Sequence, residues 1–316
     1  MKRIWLHIGV PKSGTSALQR YLMQRSDDLR EQGLTYLVPK RKKSGNDLAV
    51  AINRNRDTLS SISADLCAQI DGPGPDQAIL SSEMFYGIEP RKLLDALPSL
   101  ANHDVQLLVY MRRQDRYLES KFIQKAKNGR FKGDIWRYLK KFDGSGADFA
   151  KELEPWEATD VTVVPRICEP GRLIGGSTVS DMLALAGLPA PDPAEVAAAR
   201  ENASPSMLRL ELMQILGLTG GFDTKRIQRR IASVAPPAQG AKARFFSLSD
   251  RQDLLVKYAS GNEALRARYF PKQNHLFDQS GLDETAAAPD VGFSDEQRHE
   301  ITLMLESLKE LYAPSE

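Results

Sequence analysis

The sequence predicts an α/β protein: a three-layer parallel sheet with flanking helices and a largely helical C-terminal half. Three observations predict this class. The apolar run Arg3–Ile8 leads into a glycine-containing turn and then a helical pattern, a common opening of α/β domains. The runs Val105–Met111 and Val161–Val164 are almost continuously apolar, as parallel strands covered on both faces are. Helical patterns separate the apolar runs, which favours parallel strands joined by right-handed crossovers.

The elements of the first half follow in chain order. After the first strand, the helical pattern runs from Thr15 to about Arg25, and Leu18, Tyr21 and Leu22 have the i, i+3, i+4 spacing of one buried helix face. Further strands are predicted at 34–38, 78–80, 105–111 and 161–164, and further helices at about 46–70, 90–98, 114–128 and 147–156.

In the second half of the chain, the sequence predicts helices only. Beyond about residue 176, helical patterns lie near 178–187, 205–217, 223–234, 250–269 and 294–311. We therefore predict an α/β core over residues 1–187 and a helical extension over 188–316 that packs on the core within the same domain.

Composition excludes several classes of protein. Apolar residues make up 41% and charged residues 27% of the 316, an ordinary globular balance, and the net charge of +2 gives no overall attraction for nucleic acid. The two cysteines, Cys67 and Cys168, form neither a disulfide framework nor a zinc motif and fit a reducing compartment. No apolar run approaches the roughly 18 residues of a membrane helix, and the N-terminal run is too short for a signal peptide. We predict a cytoplasmic protein without a membrane span.

The turn Gly9–Ser16, with the sequence GVPKSGTS, is the strongest functional signal. Small residues let successive backbone N–H groups converge on one anion, and the helix that follows directs its positive end to the same point. Lys12 adds a full charge, and Ser13, Thr15 and Ser16 add hydroxyl groups. The alternative interpretation is a tight strand–helix turn in which the lysine is incidental.

This turn departs from the ATP-binding Walker A motif, G-x-x-x-x-G-K-[ST]. Gly9 and Gly14 keep the glycine spacing, but Thr15 stands at the lysine position and Lys12 lies two residues before the second glycine. The turn resembles the 5′-phosphosulfate loop, P-[KR]-[ST]-G-[ST]-[ST], of bacterial and carbohydrate-type sulfotransferases. These enzymes have a P-loop-type fold and use 3′-phosphoadenosine 5′-phosphosulfate (PAPS). The resemblance implies that the cofactor is bound by Pro11, Lys12, Ser13, Gly14, Thr15 and Ser16.

A second motif follows the strand 105–111. Arg112 ends this strand and Ser120 follows eight residues later on a predicted helix, the spacing with which sulfotransferases hold the 3′-phosphate of PAPS. A forked guanidinium and a hydroxyl suit a dianionic phosphate. The alternative is a solvated helix start in which Arg112 pairs with Asp115. Arg113 is the competing candidate for the phosphate, and we assign it to a structural ion pair.

Looser likenesses to bacterial sulfotransferases lie at Ile79–Glu83, Arg166–Gly187 and Gly261–Phe270. With the two motifs, the resemblance covers most of residues 3–187 and, faintly, 245–278.

The resemblance implies sulfuryl transfer, which follows the logic of phosphoryl transfer: in-line attack, with catalysis by positioning and electrostatics. No divalent metal is expected, because sulfate carries less charge than a terminal phosphate. Lys12 is predicted to stabilise the leaving phosphate. Glu83, after the strand 78–80, is predicted to take the acceptor's proton, since sulfotransferases use a histidine or a glutamate for this. Glu83 as an ion-pair partner of Lys12, or as a helix cap, is the alternative.

Other polar residues have two interpretations each. His7 is predicted to be a buried, hydrogen-bonded strand residue, although it is the histidine nearest to the turn. The basic run Lys40–Lys43 is either a solvated face or a rim that attracts an anionic acceptor or cofactor.

Three functions from different classes fit the sequence. The first is a PAPS-dependent sulfotransferase that acts on a hydroxyl or amine of a carbohydrate-like, small-molecule or glycan acceptor. The second is a P-loop nucleotide kinase or other phosphotransferase. The third is a non-catalytic nucleotide-binding protein that keeps the fold.

Overall fold

The computed structural model describes residues 1–10, 13–40, 42–54, 56–127, 131, 133–142, 146–169, 171–199, 207–223, 226–227, 244–279, 282 and 293–312. The chain divides into two compact units. The first consists of Met1–Tyr117, Ser145–Glu201 and Lys257–Gln279; the second consists of Leu118–Gly144, Asn202–Val256 and Ser280–Glu316.

The first unit is built on a five-stranded parallel sheet, as the sequence predicts. Its strands are β1 (Arg3–Ile8), β2 (Leu34–Leu37), β3 (Gln77–Ser82), β4 (Asp104–Met111) and β5 (Thr162–Ile167). The strand order is β2-β3-β1-β4-β5, and every neighbouring pair is parallel. The α/β class is thereby confirmed.

The described helices of at least one α-helical turn are numbered in chain order: α1 (Thr15–Gln24), α2 (Ser26–Glu31), α3 (Asn46–Arg54), α4 (Leu59–Asp71), α5 (Pro90–Ala96), α6 (Gln114–Lys127), α7 (Ile135–Lys141), α8 (Phe149–Glu157), α9 (Thr178–Leu185), α10 (Pro193–Ala199), α11 (Met207–Thr219), α12 (Leu248–Lys257), α13 (Ala259–Tyr269) and α14 (Asp295–Tyr312). Two predicted helices, 46–70 and 250–269, are each divided in two. Of the predicted helix 223–234, the structure describes residues 223 and 226–227, of which 226–227 are helical; the rest lie outside the described residues.

Both faces of the sheet are buried. On one face, Trp5, Ile79 and Tyr110 share a core cluster with Leu18 of α1 and Met182 of α9. Residues of the opposite parity along the strands, which point to the other face, are buried as well: Leu6, Leu80 and Leu107. Helices therefore cover a parallel sheet on both sides, which explains why its strands are continuously apolar.

Strand order predicts a ligand crevice at the end of β1. The chain runs from β1 to β2 and β3 on one side, then crosses to β4 and β5 on the other. The register pairs Ile8 with Ser82 and His7 with Leu108, so the carboxyl ends of β1, β3 and β4 meet. In open α/β sheets, ligands bind outside the carboxyl ends of the strands where the strand order reverses.

The second unit contains helices and, among its described residues, no strand. Phe122 packs against Tyr138 and Phe245, with ring centroids 5.8 and 4.9 Å away. Arg251 is almost fully buried and donates to Glu119 Oε1 at 2.8 Å. Beyond residue 187, the regular elements among the described residues are helices, as the sequence predicts.

None of the helices in the described ranges combines the length and apolar character needed to span a bilayer.

Candidate functional site

The turn after β1 is braced from within by Ser13. This serine is buried, its Oγ donates to Val10 O at 2.7 Å, and its N–H donates to the same oxygen at 3.2 Å. Ser13 therefore shapes the turn. Pro11 and Lys12, two of the predicted site residues, lie outside the described residues.

Gly14 opens helix α1 with a left-handed backbone, at φ +89°. Thr15 begins the helix and is buried, whereas Ser16 is exposed on its first turn. The first N–H groups of a helix have no partner within the helix, so this end offers donors and a positive dipole to an anion. Thr178 Oγ1 donates to Gly14 O at 3.3 Å and holds the turn from the side of α9.

Replacing Gly14 with alanine is expected to cost more stability than replacing Gly33. Both glycines have positive φ, so both alanines suffer the left-handed penalty of about 1–2 kcal/mol. A Cβ on Gly33 meets nothing within 4 Å, whereas one on Gly14 lies 2.8 Å from Thr178 Oγ1 and adds overpacking of about 1–3 kcal/mol. Urea unfolding of both variants measures the difference.

The companion variant Thr178→Ala removes Oγ1 and Cγ2, the two atoms that lie 2.8 and 3.0 Å from a Cβ on Gly14. In a double-mutant cycle, Gly14→Ala should cost less stability in the Thr178→Ala background than in the wild type. That cost should fall to the cost of Gly33→Ala. Equal losses at the two glycines would show that the turn has more room than the structure gives it.

Glu83 lies immediately beside this turn. Gly9 N donates to Ser82 O at 2.9 Å, and a Cβ on Gly9 would lie 2.4 Å from Thr15 Cγ2 and 3.0 Å from Glu83 Cα. Only glycine fits between the turn and the end of β3. Glu83 is half-buried and follows β3, at the sheet end where the strand order predicts a crevice.

The backbone that carries Glu83 is fixed by neighbouring polar groups. Ser82 Oγ donates to Asn46 Oδ1 at 2.5 Å and accepts from Met84 N at 3.0 Å. The helix that follows is capped by Glu89, whose side chain accepts from the N–H of Arg91 at 3.3 Å. The cap of this helix is thus Glu89 and not Glu83, and the pairing of Glu83 with Lys12 falls outside the described residues.

Arg112 follows β4 and is linked to the turn through Cys168. Cys168 N donates to Met111 O at 2.7 Å, and Cys168 Sγ donates to Ser13 O at 3.2 Å. Burial raises the pKa of the Cys168 thiol, and the positive charge of Arg112 opposes this shift. Arg112 is half-buried, and Cys168 connects the residue before it, Met111, to the turn.

Arg113 forms the predicted structural ion pair. Its Nε and Nη2 donate to Asp115 Oδ1 and Oδ2 at 2.8 and 3.0 Å, and both residues are buried. Ser120, the other residue of the second motif, is half-buried on α6 within the second unit.

His7 is a buried strand residue, as predicted. Its Nδ1 lies 2.8 Å from Ser81 Oγ, which also accepts from Gln19 Nε2 at 3.2 Å. Burial lowers the pKa of His7 to about 3, so the ring stays neutral over the physiological range. A base works best with a pKa near the operating pH, which makes His7 a poor candidate.

The basic run 40–43 makes surface ion pairs. Lys42 Nζ lies 3.0 Å from Asp47 Oδ1, and Lys40 Nζ lies 3.9 Å from Asp65 Oδ1. Both lysines are exposed, so these pairs contribute little stability. The interpretation of a solvated face fits these two residues.

Cys67 and Cys168 are both free thiols, as predicted. The described residues contain no group of three or more His, Cys, Asp or Glu side chains that could hold a metal ion.

Sequence reasoning missed the contacts of Cys168 and Thr178 with the turn. Cys168 follows β5 directly, so its position at the carboxyl end of a predicted parallel strand was a usable signal. Thr178 is 164 residues from Gly14 along the chain, and no local sequence pattern predicts that contact.

Comparisons with known proteins find distant likenesses. No protein-family model matches the chain. An uncharacterised protein of Archaeoglobus fulgidus is 23% identical over 205 residues, which cover 63% of this chain and 55% of that protein. The match therefore spans about half the length of that relative. A crystal structure of a sulfotransferase from Alicyclobacillus acidocaldarius superposes with a TM-score of 0.48 and 14% identity, over 90% of this chain and 99% of that one.

Proposed function

We propose that this chain is a sulfotransferase that moves a sulfuryl group from PAPS to a hydroxyl or amine of a carbohydrate-like acceptor. One observation carries the proposal: the P-K-S-G-T-S turn, at the carboxyl end of the central strand β1, opens helix α1 through a left-handed glycine. Convergent backbone N–H groups, a helix N-terminus and a lysine together suit a phosphosulfate anion.

The residues around the turn fit a bound phosphosulfate. Gly9 leaves no room for a side chain against Thr15 and Glu83, so the backbone itself can approach the ligand. Thr15 and Ser16 supply the first N–H groups of α1, and Lys12 supplies a charge from the preceding turn. Arg112 and Ser120 are the proposed ligands of the 3′-phosphate, with Ser13 bracing the turn.

Catalysis in this proposal depends on two residues with different tasks. Lys12 stabilises the charge that grows on the 5′-phosphate as the S–O bond breaks, while the acceptor oxygen or nitrogen attacks sulfur from the opposite side. Glu83 accepts the proton that the acceptor loses. The carbohydrate-like acceptor rests on the resemblance to bacterial and carbohydrate-type sulfotransferases. We also propose that the protein acts in the cytoplasm on a small molecule or glycan and not on nucleic acid.

The glycine spacing favours one competing function, a P-loop kinase or phosphotransferase. Gly9 and Gly14 are spaced as in a Walker A motif, but Thr15 occupies the lysine position. Walker A lysine reaches the β- and γ-phosphates of ATP from that position, so its displacement counts against this function. A non-catalytic nucleotide-binding protein remains the third candidate.

A binding titration discriminates among these functions. We expect adenosine 3′,5′-bisphosphate, the product of PAPS, to bind more tightly than ATP or ADP, and sulfuryl transfer to continue in EDTA. Tighter binding of ATP together with a strict magnesium requirement would support the kinase. Tight binding of the bisphosphate without turnover of PAPS on any acceptor in a broad glycoside screen would support the non-catalytic protein.

A further inference from the structure

We propose that Arg113, paired with Asp115, is a positioning residue that fixes the direction of Arg112 and thereby sets the selectivity for a nucleotide 3′-phosphate. This inference rests on the proposed function, because it assigns a second residue to the same phosphate site. Arg113 itself does not touch the ligand in this proposal.

The pair is fully enclosed and geometrically defined. Arg113 and Asp115 are 1% and 0% exposed, and two parallel hydrogen bonds of 2.8 and 3.0 Å join guanidinium to carboxylate. The fork of arginine fixes an orientation that a lysine ammonium could not. Buried ion pairs often stabilise a fold no better than apolar side chains of the same size, so stability alone is a weak reason for this one.

The position of the pair in the chain gives it control over Arg112. Arg112 and Arg113 are the whole link between β4 and α6. Cys168 N holds the carbonyl before this link, Met111 O, at 2.7 Å, and the carbonyl of Arg113 accepts from Tyr117 N at 2.9 Å. With Arg113 locked by its own side chain as well, little backbone freedom is left to Arg112.

A third hydrogen bond of Arg113 connects it to a segment of the first unit that is distant along the chain. Arg113 Nη1 donates to Asp278 O at 2.8 Å, and Asp278 N donates to Glu169 Oε2 at 3.2 Å. Glu169 follows β5 closely. The residues that follow β4 and β5 are thus bridged through the backbone of Asp278.

A neighbouring contact of the same segment supplies a matched control. Arg172 also follows β5 and also holds this segment, through Gln273 and, at 3.4 Å, through Leu276 O. Arg172 pairs with Glu169 at 3.7 Å but does not belong to the β4–α6 link. Arg172→Lys removes the contacts of this guanidinium but leaves the bonds of Arg113 to Asp115 and to Asp278 O in place, so Arg112 should keep its direction.

The experiment measures dissociation constants for adenosine 3′,5′-bisphosphate and for AMP in four proteins: wild type, Arg113→Lys, Arg172→Lys and the reference Arg112→Ala. We expect Arg112→Ala to lose selectivity for the bisphosphate by about 10- to 150-fold, the range for one charge-assisted hydrogen bond. Arg113→Lys should lose about tenfold in selectivity, with AMP affinity nearly unchanged. Arg172→Lys should keep wild-type selectivity.

Loss of selectivity in Arg172→Lys, or wild-type selectivity in Arg112→Ala, would overturn the inference. If Arg112→Ala loses selectivity but Arg113→Lys does not, or if Arg113→Lys weakens both nucleotides equally, Arg113 is purely structural and the inference is wrong. A wild type that does not prefer the bisphosphate overturns the proposed function and this inference with it. Should Arg113→Lys fail to fold, Asp115→Asn, which keeps one acceptor for Arg113 but removes the charge, must show the same selective loss.

Discussion

Glu83→Gln is expected to lower kcat by about 10²- to 10⁴-fold, the usual contribution of a general base. Glutamine keeps the size of the side chain, and the turn that carries it is fixed by Ser82 and Asn46, so only the base is lost. Affinity for adenosine 3′,5′-bisphosphate should barely change, because Glu83 faces the acceptor in the proposal. Steady-state kinetics with a true acceptor and a nucleotide titration measure the two effects separately.

The control for this variant is Glu89→Gln. This variant carries the same Glu→Gln substitution a few residues further along the chain. Glu89 caps helix α5 and lies outside the proposed site. Its kcat should remain close to that of the wild type. The pH profile adds a second test, since Glu83→Gln should abolish the fall in rate at acidic pH. Near-normal kcat in Glu83→Gln would show that this residue is structural and that the base belongs to the acceptor or to another side chain.

The sheet and the turn could be predicted from sequence because their signals are local. A strand buried on both faces is apolar along its length, as in β4, and glycine spacing marks the turn at Gly9 and Gly14. The ends of the strands were less predictable. The observed β3 continues to Ser82, but its last two residues are serines, which have no apolar signature in the sequence. Those serines nevertheless matter, since Ser82 holds the backbone next to Glu83.

What the sequence could not predict depends on contacts between distant residues. Arg113 and Asp278 are 165 residues apart along the chain. The segment Lys257–Gln279, which contains Asp278, belongs to the first unit although the residues before it, Asn202–Val256, belong to the second. Helical periodicity gives the helix α13 within this segment but not the surface on which it packs. The faint resemblance at Gly261–Phe270 was the one sequence signal that this segment belongs with the core.

The second large effect is expected for Lys12→Ala, which should lower kcat by about 10²- to 10³-fold, as removal of one preorganised donor at a developing oxyanion does. Unlike Glu83→Gln, Lys12→Ala should also lower the affinity for adenosine 3′,5′-bisphosphate, because Lys12 faces the 5′-phosphate throughout the reaction in the proposal. An interaction that strengthens towards the transition state lowers the rate as well as the affinity when it is lost.

Lys12→Arg is the matched control, since the sulfotransferase pattern accepts lysine or arginine at this position and the charge is kept. We expect it to retain most of the rate and most of the nucleotide affinity that Lys12→Ala loses. Measuring kcat and the bisphosphate dissociation constant for both variants separates charge from shape. If Lys12→Ala weakens binding but leaves kcat unchanged, the lysine holds ground state and transition state equally. Stabilisation of the leaving phosphate would then have to come from the backbone N–H groups at Gly14, Thr15 and Ser16, where helix α1 begins.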